Sequence, residues 1–190
     1  MKSYIATTVL WAAWVISWWA AAFWRDRAVK RPTIAAEILY RVFVIAGAVL
    51  MFNFFWPGTS TWMAWTAGPV LQWVMVLLVA AGLLFTWWAR VTLGRLWSSS
   101  ITRKAAHHVV DTGPYAIVRH PIYTGVILAE IATAVQGGSV LALAGAGLMF
   151  VGWYIKARME ESFLRVELDR DAYDAYARRV PMLVPFLRRS

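Results

Sequence analysis

Residues 119–161 read RHPIYTGVILAEIATAVQGGSVLALAGAGLMFVGWYIKARMEE. Two apolar runs, about 122–135 and 139–155, are separated by QGGS. Each is short for a bilayer core of about 30 Å, which takes roughly 20 helical residues. The pair therefore predicts a tight helical hairpin with tilted or partly interfacial ends. Polar chemistry brackets it, RHP before and KARMEE after. A hairpin returns the chain to the side it left, so the two polar segments face one compartment and meet.

Composition extends this reading outward. The chain of 190 residues is 61% hydrophobic and 15% charged, with a mean hydropathy of +0.56. Soluble domains carry about 25% charged residues, so the sequence predicts an integral membrane protein. Three more apolar runs precede the hairpin: 4–24, 37–56 ending at Pro57, and 69–89 from Pro69 to Trp87 and Trp88. The fold expected is all-α, with about five transmembrane helices, the last two forming the hairpin. Residues 1–89 supply three of these helices, and 90–190 the loop, hairpin and tail. The first run is long, rich in Trp and preceded by only one Lys, as in a retained helix and unlike a cleaved signal. With no Cys there is neither disulfide nor thiolate chemistry.

All but Lys2 and Arg41 of the 19 basic residues fall in the stretch between runs one and two, the segment 90–120, or the tail from 156. These lie on one side of a five-helix path, while 57–68 carries no charge. The positive-inside rule puts the N-terminus outside and the tail in the cytoplasm, at a bacterial inner membrane. The net charge of +9 is thus a topology signal, with anionic lipid a second role and nucleic acid not expected.

GPYAIVRHPIYTG, 113–125, packs turn formers, rings, an arginine and a histidine ahead of the fourth run. Gly113 and Pro114 signal a turn, and Pro121 suits the first turn of a helix. A helix starting there has unpaired N–H groups that accept an anionic group, with Tyr115, Arg119, His120 and Tyr123 around them. The plainer reading is an interfacial anchor with its rings at the headgroups. In KARMEESFL, 156–164, Lys156 and Glu160 share a helix face, as do Arg158 and Glu161. Ordinary surface ion pairs explain that cluster by itself and contribute little. The functional reading gives one carboxylate a cation or a hydroxyl-rich ligand. Glu130 is the acid placed deep in the hairpin, where a carboxylate marks a functional candidate unless it only bonds within the bundle. His107, His108 and His120 lack the spacing of a helical metal site, so no metal is expected. Gly145 and Gly147 suit helix packing. The sequence contains no phosphate loop, dinucleotide fingerprint or nucleophile elbow.

Taken together, residues 90–186 resemble the isoprenylcysteine carboxyl methyltransferase family, whose broader relatives include phosphatidylethanolamine N-methyltransferases. The resemblance rests on LG at 93–94, HHVVDTGPY at 107–115, RHPIYTG at 119–125, EE at 160–161 and YDAYARRVPMLVP at 173–185. It implies a cytoplasmic cofactor pocket for S-adenosylmethionine (SAM), open sideways to the bilayer for a lipophilic methyl acceptor. By the same resemblance His107, His108, Val109, Val110, Tyr115, His120, Pro121, Ile122 and Tyr123 line the cofactor pocket, and Glu160 contacts the cofactor. The family usually has an arginine four residues before this glutamate, linked to the acceptor. Here Lys156 stands there, with Arg158 two residues later, and both are candidates for acceptor positioning.

The chemistry is consistent with the resemblance. Methyl transfer from a sulfonium is an in-line displacement, so positioning accounts for much of the catalysis. A carboxylate acceptor needs no general base, whereas an ammonium or phenol does. Rings such as Tyr115 and Tyr123 favour a sulfonium through cation–π attraction. The acceptor expected is isoprenylcysteine-carboxylate-like, or another lipid carboxylate, amine or hydroxyl. Two alternatives remain: an NADPH-dependent reductase of the sterol-reductase type, whose members share RHPxYxG, and a non-enzymatic membrane protein with Glu130 along a path.

Overall fold

The apolar runs fold as helices: α1 (Lys2–Ala21), α2 (Ile34–Met51), α3 (Pro69–Leu93), α4 (Pro121–Gly137) and α5 (Val140–Glu167). A short α6 (Arg170–Arg179) follows, and a 3₁₀ turn spans Gly113–Ala116. This computed structural model describes residues 1–21, 34–52, 64–94, 97, 109–167 and 170–187. Among the described residues, three segments are long and apolar enough to cross a membrane by length and composition: Lys2–Ala21, Pro69–Leu93 and Val140–Val166. α2 and α4 are shorter, with 18 and 17 residues.

α2 packs along α5, α3 along α4, and α4 and α5 form the expected hairpin. Pro121 sits in the first turn of α4, where its missing N–H costs nothing. Gly138 ends the helix at φ +65, the left-handed conformation that favours glycine. Both long contacts depend on glycine pairs. A Cβ at Gly82 would lie 2.5 Å from Gly125 O, and one at Gly125 would lie 2.5 Å from Gly82 O. Gly47 and Gly145 make the same reciprocal approach between α2 and α5, whereas a Cβ at Gly147 meets open space. The packing role expected at 145 is thus present, and the one at 147 is not.

α1 docks through a polar stripe at helical spacing. Thr7 donates to Gln136 Oε1 (2.7 Å), Trp11 Nε1 to Thr133 Oγ1 (2.9 Å) and Trp14 Nε1 to Thr86 Oγ1 (2.7 Å). In an apolar phase, where burial drives little helix association, such bonds help to select the partner face.

Two boundaries differ from expectation. α3 continues past 89 to Leu93, and α5 continues past 155 to Glu167. The change to polar residues after 155 ends the apolar run, but Lys, Arg, Met and Glu are good helix formers and no Pro interrupts them. KARMEESFL is therefore the last part of α5 and not a segment after it. α6 was not anticipated: it is short and charged, and its buried residues are Tyr173 and Tyr176.

Candidate active site where α4 begins and α5 ends

The tail after α6 returns to the start of α4. The amides of Arg119 and His120 donate to Pro181 O (2.8 Å) and Met182 O (3.1 Å), and Thr124 Oγ1 donates to Leu183 O (2.7 Å). Arg119 also donates to Ala177 O (2.9 Å) and to Val180 O. Both amides precede the first turn of α4, so these bonds fix the approach to the helix and do not occupy the N–H groups of its first turn.

Glu160 and Glu161 are adjacent on α5 and therefore point in different directions. Glu161, 2% exposed, accepts from Arg119 Nε at 2.7 Å, and His120 Nε2 lies 3.3 Å from the same oxygen. Its Oε2 is buried without a partner among the described residues. Glu160, 20% exposed, accepts from the Tyr123 hydroxyl at 2.6 Å and lies 3.5 Å from His120 Nδ1. Burial opposes a charge on His120, but hydrogen bonds and charge from Glu160 and Glu161 outweigh it and raise its pKa above the ordinary value. Burial, with Glu160 nearby, pushes the Tyr115 hydroxyl well up, so it stays protonated.

Three rings form a column beside these acids. His120 stacks on Tyr123 (5.4 Å, 9°), and Tyr123 stacks on Trp153 (5.4 Å, 16°). Lys156, buried one turn before Glu160, holds its ammonium 5.2 Å from the Tyr40 and Tyr123 ring centroids and 5.7 Å from that of Trp153. Such a setting suits a desolvated cation.

The structure brings Tyr123, His120, Glu160 and Lys156 together, with Pro121 and Tyr115 buried nearby. Ile122 packs against the small core of Tyr123, Ala157 and Leu183. Val109 instead packs on Tyr173, Tyr176 and Val180, and Val110 is half-buried. His107 and His108 lie outside the described residues. Arg158 is exposed, and Glu161 pairs with Arg119 and His120, so the shared face expected for Arg158 and Glu161 gives no ion pair. Tyr115 and Tyr123 are buried, as an interfacial anchor's rings would not be. The sequence places Arg119 beside the start of α4 and Glu161 in the acidic pair without assigning either a pocket role, and Trp153 and Tyr40 are not among its candidates. The spacing of Trp153, Lys156 and Glu160 on one helix face is a legible signal for Trp153; Tyr40 comes from a distant helix and leaves none.

Residues 73–165 match the profile of the isoprenylcysteine carboxyl methyltransferase (ICMT) family. Protein-S-isoprenylcysteine O-methyltransferase B of Arabidopsis thaliana is 29% identical over 62% of this chain and 70% of its own length. The nickel-cobalt-cadmium resistance protein NccN of Alcaligenes xylosoxydans xylosoxydans is 30% identical over 60% of this chain and 53% of its own length. The cobalt-zinc-cadmium resistance protein CzcN of Cupriavidus metallidurans is 32% identical, over 60% and 52%. The chain thus spans about half the length of these two resistance proteins. From the early part of α3 nearly to the end of α5, which includes the ring column and both glutamates, this chain is similar to the isoprenylcysteine carboxyl methyltransferase family.

Proposed function

We propose that this integral membrane protein is a methyltransferase that moves a methyl group from SAM to a lipophilic acceptor carrying a carboxylate, amine or hydroxyl. One observation carries the reading: a partly open carboxylate, Glu160, stands beside a ring column and one turn from a caged ammonium, Lys156. The residues present fit the cofactor. Glu160, one-fifth exposed, leaves acceptor capacity for an amine or ribose hydroxyls, and the rings suit a sulfonium.

When bound, SAM supplies an activated methyl group. The chain's own part is to bind and orient. Glu160 and His120 hold polar groups of the cofactor, and Tyr115 and Tyr123 present their rings. Lys156 positions the acceptor's charged or polar end. Lys156 is a point charge without the fork of an arginine, so it orients a carboxylate less strictly. Arg158 is the competing candidate, though it is exposed. Val110, Pro121 and Ile122 complete the proposed pocket, to which the family resemblance adds His107 and His108. In this reading five helices span a bacterial inner membrane, with the N-terminus outside and the tail in the cytoplasm. Residues 90–190 carry the chemistry and 1–89 supply three membrane helices.

The test is transfer of label from methyl-labelled SAM to a membrane lipid extract by the purified chain, with the product identified. Lys156→Met should raise the acceptor KM about tenfold or more, the scale for losing a charged partner, while Arg158→Met leaves it unchanged. Absence of SAM binding refutes the reading. The reverse pattern in the two variants moves the acceptor role to Arg158.

A further inference from the structure

Glu130 has no part in that mechanism. It lies inside α4, 1% exposed, and its Oε1 accepts from Trp153 Nε1 at 2.9 Å. Its Oε2 is buried without a partner among the described residues. A buried carboxyl is a costly way to accept one indole N–H, so the arrangement calls for a purpose beyond packing. Trp153 is the inner end of the column His120–Tyr123–Trp153. The outer end is held by two acids, Glu160 near His120 Nδ1 and Glu161 near His120 Nε2. Tyr123 is fixed through its hydroxyl on Glu160. The inner ring is fixed by Glu130. Stacking alone leaves a ring free to slide or turn in its plane; a hydrogen bond at each end removes that freedom.

We propose that Glu130 is a positioning residue: by holding the Trp153 N–H it sets the inner end of the ring column, and with it the wall against which Lys156 and a lipophilic acceptor are placed. The inference rests on the methyltransferase reading and deepens it. It locates acceptor orientation in a carboxyl that does not touch the cofactor. The acceptor side is the one affected because Trp153 lies on the interior side of Tyr123, whereas His120 and Glu160 lie on the cofactor side.

The experiment uses the purified full chain, methyl-labelled SAM, and N-acetyl-S-farnesyl-cysteine as acceptor probe, with SAM affinity measured separately by calorimetry. Glu130→Leu and Trp153→Phe should each raise the probe KM about threefold to tenfold, the scale of one lost hydrogen bond. The SAM dissociation constant should stay within about twofold. The double variant should be no worse than the poorer single one, as for two residues acting through one bond. Glu130→Gln keeps an acceptor oxygen and should restore the KM to near the wild-type value. Trp153→Phe retains the stacked ring, so it carries the test by itself if Glu130→Leu fails to purify. Additive effects, a wild-type KM in Trp153→Phe, or a Glu130→Gln as defective as Glu130→Leu would each overturn the inference while leaving SAM binding intact. Failure of the wild type to bind SAM overturns the methyltransferase reading and the inference with it.

Discussion

Glu161→Gln and Glu160→Gln, one residue apart, should fail in opposite ways. Glu161 is the buried partner of Arg119 at 2.7 Å, and Arg119 is itself 11% exposed. Breaking a buried ion pair by removing one charge costs about 3–5 kcal/mol. Glutamine keeps one acceptor oxygen, and Arg119 keeps the carbonyls of Ala177 and Val180, so the low end applies, about 3 kcal/mol. On the scale of about 2–4 °C per kcal/mol for chains of this size, Tm should fall by about 6–12 °C. Glu160 is one-fifth exposed, and Tyr123 can donate equally well to an amide oxygen. Its replacement should therefore cost at most about 1 kcal/mol of stability, but under the proposed function it removes a charge-assisted bond to the cofactor, about 1.5–3 kcal/mol. SAM affinity should drop roughly tenfold to hundredfold. Thiol-reactive unfolding dyes have no target because the chain has no Cys, so Tm is read from the intrinsic fluorescence of its 13 Trp. Affinity is read by calorimetry on the same samples. Equal Tm losses in both variants, or a loss of SAM affinity confined to Glu161→Gln, would refute this division of labour.

Gly125→Val should destabilise by about 1–3 kcal/mol, because its Cβ meets Gly82 O at 2.5 Å and backbone cannot give way. Gly147→Ala, which meets nothing within 4 Å, should be neutral or raise Tm slightly; thermal scans of both against wild type check the contrast. His120 has a folded-state pKa raised above 6.5 by its two acids. Its contribution to stability is then complete below that value and lost as pH rises through the folded pKa, so Tm should decline from mildly acid to alkaline pH, and His120→Gln should flatten that decline.

What could be read from the sequence was what depends on neighbours along the chain. Pro121 starting α4 and glycine ending it at 138 follow from local backbone chemistry, and the apolar runs follow from what a bilayer accepts. The apolar run stops at 155 but α5 runs on to Glu167, because a change to polar residues does not end a helix and nothing in 156–167 breaks one. α6 was missed because it is too short to show a convincing period, and its tyrosines are buried only because the tail folds back. The site was legible in part for the same reason. Glu160, Lys156, His120 and Tyr123 carry recognisable types at recognisable spacing. The Glu130–Trp153 bond joins two helices, and the Tyr40 face over Lys156 comes from a third. No local pattern encodes a contact of that kind.

The close helix contacts and the site are one design. Gly152, next to Trp153, lets α2 approach until a Cβ there would lie 3.0 Å from Tyr40 O and 2.8 Å from Val44 Cγ2. That approach brings the Tyr40 ring to 5.2 Å from the Lys156 ammonium, which also lies 5.2 Å from Tyr123 and 5.7 Å from Trp153. A side chain at 152 would push α2 outward and open one wall of the cage without touching any charged residue. The apolar packing of the bundle therefore sets how well Lys156 is desolvated, and under the proposed function desolvation strengthens the pull of Lys156 on an acceptor's charge. Glu161 and Arg119 tie the tail across the other end. The cage is thus held from the membrane side by a glycine contact and from the polar side by an ion pair. Glu160 is left as the carboxylate of the pair with room to take a ligand.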